Sequence, residues 1–296
     1  MFPIVAEHVK GFTASGLNEA RMCAPFDRPV HVHAPAYAED EIDELAAICD
    51  TVVFNSAGQF RRFAARVGNA AIRVRAARAF SPSPKYDTSG KVSRFGATAA
   101  ELAALPEATI LHVHGLCEGT SGEFAEYVRA FTAEYADSLP RMRFINLGGG
   151  MDIAAEDFVT DDLKRALDEL RSCTPATLQI EPCECVTASC GRFETTVLDV
   201  FDRGDVQVAI IDASAACHAP DVINMPYVPE LDFPAGDKRV LLGGISCLAC
   251  DVFGEYRLAR PLVVGERLAF RDAGAYTFAQ VNDFNGVRRP ATVIVE

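Results

Sequence analysis

The sequence predicts an α/β protein: a TIM-like (β/α) barrel missing its first strand, followed by a mostly antiparallel β domain. Strand-like apolar runs alternate with helical spacing through the first two-thirds of the chain, which implies parallel strands and right-handed crossovers. Polar and glycine residues gather after the strands, where such barrels carry their chemistry, and this favours a barrel over a doubly wound sheet. From about residue 185, strand-like runs follow one another without long helices.

The domain boundary is predicted between residues 184 and 185, with a cofactor-binding barrel over 1–184 and a β domain over 185–296. The predicted barrel strands are 11–15, 30–33, 51–54, 70–75, 109–114, 143–147 and 177–180. Apolar residues at helical spacing occur in 42–49, 124–135 and 155–170. The predicted strands of the β domain are 195–200, 206–211, 239–242, 257–264, 267–270, 276–281 and 292–295.

The strand count falls one short, because a closed barrel of this kind has eight strands and the sequence shows seven. Residues 2–10 look like the tail of a helix whose preceding strand is absent. We therefore expect either a barrel that is open at one seam or a sequence that lacks its beginning.

The net charge and the amino-acid composition limit the classes of binding partner that are expected. The formal net charge of −13 argues against nucleic acid and anionic membranes, and it suits a small cationic substrate. The start of the chain shows no signal peptide, and no stretch is long enough to cross a membrane. The 10 cysteines then indicate thiols in a reducing compartment, so a cytoplasmic location is expected.

Three consecutive glycines, Gly148, Gly149 and Gly150, separate the strand predicted at 143–147 from the helical run at 155–170. Backbone N–H groups can approach an anion closely where side chains are absent, and a helix N-terminus adds a favourable dipole. The unit is a candidate phosphate cradle, with a simple tight turn as the structural alternative.

Five segments occur in an order and with a spacing typical of one family: 111–118, 145–150, 212–227, 243–256, and 275–277 with 284–286. Over nearly its whole length the sequence resembles the fold-type III pyridoxal-phosphate decarboxylases, and within them the branch that acts on carboxynorspermidine or carboxyspermidine. The resemblance implies a decarboxylase of polyamine biosynthesis that uses pyridoxal 5'-phosphate.

The resemblance implies roles for barrel residues. His114 would stack on the pyridine ring, as a catalytic and cofactor-binding residue, and Glu181 would pair with the pyridine nitrogen. A protonated ring nitrogen makes the cofactor an electron sink for the carbanion left when CO₂ departs. The three glycines would bind the phosphate, with Tyr276 and Arg94. The neighbouring His112 is expected to be a core histidine that points away from His114.

The resemblance also implies a homodimer, because two subunits of this family share each site. Cys247, as a catalytic residue, and Asp251, as a substrate-binding residue, would complete the partner's site. Asp212, His218 and Asp221 would face the amine-bearing end of the substrate.

The lysine that binds the cofactor in this family lies on the first barrel strand, upstream of the segment that matches residues 2–3 here. None of the lysines in the sequence falls in the corresponding motif; they are Lys10, Lys85, Lys91, Lys164 and Lys238. We expect the 296-residue chain to bind the cofactor weakly and to turn over orders of magnitude more slowly than a relative with that lysine.

Several cysteines stand where the family has glycine or another small residue: Cys183, Cys217 and Cys250, near Cys185 and Cys247. Thiols at such spacing can bind soft metals, but paired CxxC motifs are absent and cysteine is often a small buried hydrophobe. No stoichiometric metal is expected. Three hypotheses remain open: a decarboxylase, an inactive or repurposed homologue that binds or regulates a partner, and a metal–thiolate enzyme on the same pocket.

Overall fold

The computed structural model of the protein describes residues 2–225 and 227–295. The chain divides into two units, with the boundary between Pro182 and Cys183. None of the helices in the described residues is long and apolar enough to span a bilayer.

A parallel sheet of seven strands, in strict chain order, forms the centre of the first unit. Its strands are β1 Phe12–Ala14, β2 Val30–His33, β3 Thr51–Phe54, β4 Ala70–Arg73, β5 Ile110–His112, β6 Phe144–Asn146 and β7 Thr177–Gln179. Its helices are α1 Phe2–His8, α2 Leu17–Cys23, α3 Ile42–Ile48, α4 Ala57–Phe63, α5 Ala99–Ala103, α6 Ser121–Glu134 and α7 Thr160–Arg171. All seven predicted strands are confirmed.

Strand alternation divides the side chains of this sheet between two clusters. Outward-facing residues such as Val52, Ile72 and Leu111 join the large core under the helices. The residues between them, such as Val53 and Ala71, form a separate small apolar cluster inside the sheet. Because side chains alternate along a strand, every second residue from each strand reaches the inside.

The sheet curls so that a side-chain hydrogen bond connects its first strand with the segment after its last. The Thr13 hydroxyl on β1 donates to a carboxylate oxygen of Glu181, just beyond β7, at 2.6 Å. In the described part of the chain β1 pairs only with β2, and β7 only with β6. Within the described residues the seven strands therefore form a curled sheet whose two edge strands do not pair with each other, as a barrel one strand short of eight would.

The helix predicted from residue 155 starts later. Residues 151–159 contain turns, and α7 begins at Thr160, so the glycine run does not lead directly into a helix N-terminus. Met151 instead forms a parallel bridge with Gly119, which ties the segment after β6 to the segment after β5. A phosphate at the glycines would therefore gain little from the dipole of α7, whose field falls off within one turn.

A second sheet forms the centre of the second unit, in the order β11-β10-β9-β8-β12. Its strands are β8 Phe193–Arg203, β9 Val206–Ile211, β10 Ala235–Gly243, β11 Val252–Leu258 and β12 Arg267–Phe270. Neighbours are antiparallel except β9 and β10. Short helices accompany them: α8 Glu184–Thr187, α9 Ala215–His218, α10 Asp221–Asn224 and α11 Tyr276–Ala279. The prediction of a mostly antiparallel β domain is confirmed.

Three strand predictions in this unit are wrong in whole or part. The strand predicted at 257–264 lies at Val252–Leu258, and the chain bends at residues 259–260 before Pro261, which has no N–H to donate to a ladder. The segment 276–281 contains helix α11. Residues 292–295 form no strand, and Val293 and Ile294 are exposed. Without a neighbouring strand, β propensity alone does not form a sheet.

Candidate active site

A layer of polar side chains lies inside the curled sheet at the carboxyl ends of its strands. Arg73 on β4 pairs in register with His112 on β5, and His112 pairs with Asn146 on β6. All three occupy inward-facing positions of the alternation. The carboxyl end of a parallel barrel is where such folds assemble a reaction centre from several strands.

Glu181 is the acid of this layer. Its Oε1 accepts hydrogen bonds from Thr13 Oγ1 and Asn146 Nδ2, both at 2.6 Å. Its Oε2 lies 3.9 Å from His33 Nε2, beyond hydrogen-bond range, and the side chain is 13% exposed. The carboxylate is thus oriented through one oxygen, while the other has no hydrogen-bond donor among the described residues.

The glycine run lies beside this acid. The N–H of Gly148 donates to Asn146 Oδ1 at 2.8 Å, and the N–H of Gly149 donates to His114 Nδ1 at 3.2 Å. Gly150 has φ +81°, and a Cβ there would collide with the carbonyl oxygen of Leu116. The run therefore has to be glycine for packing. An anion at Gly149 would have to replace His114 as the acceptor.

Three histidines of the layer are kept neutral. Burial lowers the pKa of His33 and of His114 to about 4, and the positive charge of Arg73 adds to this effect. Burial also lowers the pKa of His112 well below its ordinary value. Because Gly149 donates to Nδ1 of His114, the proton of that neutral ring is on Nε2.

His112 does not point away from His114, and that prediction is wrong. Residues two apart on a strand face the same side, and the His112 ring lies 4.6 Å from the His33 ring inside the sheet. His112 is 1% exposed, and neither of its ring nitrogens has a hydrogen-bond partner among the residues that the structure describes. The strict two-residue period could have placed His33, His112 and His114 together.

Arg73 is a second residue that sequence reasoning missed. It is 6% exposed, and its guanidinium lies over the Phe95 ring at 4.1 Å from the centroid. Burial lowers its pKa to about 10, so it remains cationic at neutral pH. Arg94, which was predicted to bind the phosphate, lies over the same ring at 4.2 Å. Two arginines thus share one aromatic ring near the polar layer.

In the second unit, the predicted residues Cys247 and Asp251 belong to one loop. Asp251 is buried and accepts from the N–H groups of Ala216 and Ser246, at 3.3 and 2.9 Å. Cys247 is exposed. The carboxylate of Asp251 therefore holds the loop that presents Cys247, and a role for Asp251 toward substrate stays a prediction.

The other residues predicted in this unit have these surroundings. His218 is buried, accepts from the Ser214 N–H at 3.2 Å, and lies 3.1 Å from the Arg288 carbonyl oxygen through Nε2. Both of its nitrogens are thus engaged by the backbone. Asp212 accepts from Thr195 and Thr196, Asp221 accepts from Gln280, and Tyr276 is exposed at the start of α11. Their roles stay predictions.

The cysteines do not form a group of three metal ligands in residues 2–225 and 227–295. Cys183 and Cys250 are exposed, Cys185 is half-buried, and Cys217 is buried with its sulfur 3.3 Å from the Phe284 carbonyl oxygen. The group of ligand atoms that does come together in this part of the chain belongs to His33, His112 and Glu181.

Comparison with known proteins gives concordant results. The family model described as pyridoxal-dependent decarboxylase, C-terminal sheet domain, matches residues 36–274. A carboxynorspermidine/carboxyspermidine decarboxylase of Campylobacter jejuni is 31% identical, over 99% of this chain and 82% of the relative. A carboxyaminopropylagmatine decarboxylase of Synechocystis is 33% identical, over 98% and 78%.

Solved structures agree with these matches. The structure of the carboxynorspermidine decarboxylase of C. jejuni, complexed with norspermidine, has a TM-score of 0.84 at 30% identity, covering 97% of this chain and 81% of that one. Diaminopimelate decarboxylase of Helicobacter pylori shares the fold, with a TM-score of 0.83 at 17% identity over 96% and 78%. The chain therefore belongs to the pyridoxal-dependent decarboxylases, a family of lyases that use pyridoxal 5'-phosphate.

Proposed function

We propose that this protein decarboxylates a carboxylated polyamine, carboxynorspermidine or carboxyspermidine, in polyamine biosynthesis. The observation that carries the proposal is Glu181, an oriented and largely buried carboxylate with one oxygen not hydrogen-bonded by the described residues. That oxygen fits the protonated nitrogen of a pyridine ring, which needs an anionic partner. The names of the relatives support the substrate class.

The chain's own residues would act as follows. Thr13 and Asn146 hold Glu181 in one orientation, so its charge needs no rearrangement when a cation arrives. Gly149 holds His114, whose ring would pack on the cofactor. Pyridoxal phosphate, when bound, supplies an electron sink for the electron pair that CO₂ leaves behind. The protein contributes position, charge and burial.

We also propose that the active form is a cytoplasmic homodimer. In the second unit, two large apolar side chains are exposed: Leu248, which follows the predicted cross-subunit residue Cys247, and Phe278 in α11. Large exposed apolar groups of this kind favour burial against a partner. The thiol-rich composition suits a reducing compartment.

The rate of the reaction depends on whether a lysine is present that can bind the cofactor covalently. None of the lysines in the sequence lies on a strand of the parallel sheet; Lys238 lies on β10, in the second unit. The 296-residue chain alone should therefore hold the cofactor noncovalently and turn over slowly.

The test compares the 296-residue chain with a chimera in which the N-terminal segment of the C. jejuni relative precedes residue 1. Pyridoxal phosphate binding is followed by absorbance and borohydride trapping, and CO₂ release is measured on carboxynorspermidine, carboxyspermidine and carboxyaminopropylagmatine. The chimera should release CO₂ orders of magnitude faster than the 296-residue chain. In the chimera, Glu181→Gln should lower kcat by about 100-fold or more, because a neutral amide does not keep the ring nitrogen protonated.

The matched control is Glu107→Gln, an exposed acid outside the polar layer, which should leave kcat unchanged. Faster CO₂ release from carboxyaminopropylagmatine than from the other two compounds would show that the preferred substrate bears a guanidine group. A chimera that traps the cofactor but decarboxylates none of the three compounds would favour the repurposed homologue. Full turnover by the 296-residue chain, with cofactor trapped on one of its own lysines, would show that the cofactor-binding lysine lies within this sequence and not on a preceding strand.

A further inference from the structure

We propose that Cys247 and Cys250 form a reactive dithiol, which closes to a reversible intramolecular disulfide when it meets a low-molecular-weight disulfide such as oxidised glutathione. Both residues lie in the loop 244–251, between β10 and β11. The disulfide would occupy the Cys247 thiol, the group that is predicted to act in the partner's site. The inference rests on the proposed function for this effect on activity, whereas the thiol chemistry is measured without it.

Asp251 folds this loop back on itself. Its carbonyl oxygen accepts from the Gly244 N–H at 2.8 Å, and its carboxylate accepts from the Ser246 N–H at 2.9 Å. Its own N–H donates to the Leu248 carbonyl oxygen at 2.9 Å, which closes a turn inside the loop. A Cβ at Gly244 would collide with the Asp251 carboxylate, so the two sides of the loop are packed together. Both cysteines lie within this short closed loop.

The turn meets the main geometric requirement of a disulfide, which is a separation of about 7 Å or less between the two α-carbons. Three residues of extended chain span about 10 Å, so the two cysteines of a Cys-x-x-Cys motif can meet only across a turn. Residues 249 and 250 form a turn in this loop. Both cysteines lie outside β10 and β11, so closure of the disulfide would change the loop and leave the ladder between these strands intact.

Exposure distinguishes these two thiols from the buried cysteines of the chain. Cys247 and Cys250 are both exposed, so a small disulfide in solution can reach them. Cys23 and Cys49 are buried, and burial raises the pKa of both thiols, that of Cys49 to about 12. Because the thiolate is the reacting form, these buried cysteines are inert at neutral pH. In a reducing compartment a disulfide of the exposed pair would be transient, as in redox-sensing proteins.

The reaction consists of two consecutive thiol–disulfide exchanges. One cysteine thiolate attacks a sulfur of oxidised glutathione, which forms a mixed disulfide and releases one glutathione thiolate. The other cysteine thiolate attacks the protein sulfur of that mixed disulfide, which forms the bond between Cys247 and Cys250 and releases the second glutathione thiolate. The two protons of the protein thiols pass to the released thiolates. The protein dithiol is thus oxidised, one glutathione disulfide is reduced, and excess reduced glutathione reverses both exchanges.

The test uses the folded, reduced 296-residue chain in buffers with increasing ratios of oxidised to reduced glutathione. Exchange is stopped with acid, free thiols are alkylated with N-ethylmaleimide, and the tryptic peptides are analysed by mass spectrometry. The peptide 240–257 contains Cys247 and Cys250 and no other cysteine. We expect it to lose both alkylation sites together and to become lighter than the dithiol peptide by two hydrogen atoms. Excess reduced glutathione should restore both sites.

Two variants locate the reaction. Cys250→Ser keeps the Cys247 thiol but has no second thiol for the intramolecular step. Glutathione should therefore modify Cys247 only at a ratio of oxidised to reduced glutathione that is higher by about tenfold or more. The matched control Cys190→Ser, at an exposed cysteine outside the loop, should form the loop disulfide as the parent does. In the chimera described above, oxidation should reversibly stop CO₂ release, and Cys250→Ser should stay active at the ratio that inactivates the parent chimera.

Three results would overturn the proposal. They are a peptide 240–257 that stays fully alkylated in oxidised glutathione alone, glutathione bound to the two cysteines without a bond between them, and a disulfide from the loop to another cysteine. A chimera that forms the loop disulfide and keeps its full activity would refute the effect on activity. A chimera that is inactive before oxidation would count against the proposed function, while the peptide masses from the 296-residue chain still decide the thiol chemistry.

Discussion

At the scale of single residues, two side chains each connect two other groups through hydrogen bonds. Asn146 accepts from the Gly148 N–H and donates to Glu181, so one amide joins the glycine run to the acid of the site. His218 does the same in the second unit, between Ser214 and Arg288. Of the two, His218 is sensitive to protonation, because a charged imidazole has no acceptor nitrogen left for the Ser214 N–H.

His218 should make the fold lose stability in mild acid. Burial lowers its folded-state pKa below the ordinary 6.5, against the opposing effects of the hydrogen bond to the Arg288 carbonyl and of the negative charges of Asp251 and Asp212. Above pH 6.5 the ring is neutral in both states. As pH falls below 6.5 the unfolded state takes up a proton that the folded state resists, so the free energy of unfolding decreases.

The variant His218→Asn tests this expectation. Its Oδ1 can still accept from the Ser214 N–H, but it cannot titrate and it loses the contact with Arg288. Its free energy of unfolding at pH 7 should be lower by about 1–2 kcal/mol. Urea unfolding between pH 7 and pH 5 should show the parent and the variant converging. Parallel curves would mean that His218 is not a source of the acid sensitivity.

At the scale of elements, the segments after β5 and β6 lock together through glycine. Gly119 donates to the Gly150 carbonyl at 2.8 Å and forms a bridge with Met151. This contact replaces the direct strand-to-helix step that the sequence suggested. It also explains why the glycine run is needed whether or not phosphate binds there.

Gly150→Ala should therefore destabilise the protein by at least about 2 kcal/mol, since the residue has φ +81° and its new Cβ would collide with the Leu116 carbonyl. Urea unfolding measures the effect. Gly68→Ala is the matched control, because a Cβ at that position meets no atom within 4 Å; it should change stability by less than about 0.5 kcal/mol. Equal losses in the two variants would contradict the packing role of Gly150.

For the whole molecule, the expectation is a homodimer. Apolar side chains exposed in the second unit, such as Leu248 and Phe278, are of the kind that subunit interfaces bury. Sedimentation velocity at micromolar concentration should show twice the mass of the 31.9 kDa chain. Leu248→Asp together with Phe278→Asp should shift the species toward monomer, and Val92→Asp, at an exposed loop residue of the first unit, should not. A parent chain that sediments only as monomer would contradict the proposal.

The sequence by itself determined the α/β class, the seven parallel strands, most strands of the second sheet, and the family. These follow from apolar periodicity and short motifs, which are local signals. The tertiary structure decided which polar residues meet: Thr13 with Glu181, and His33 with His112. It also showed that 276–281 contains a helix and that Gly150 precedes turns. Such outcomes depend on sheet curl and strand register between residues up to 168 positions apart, and local periodicity does not encode that pairing.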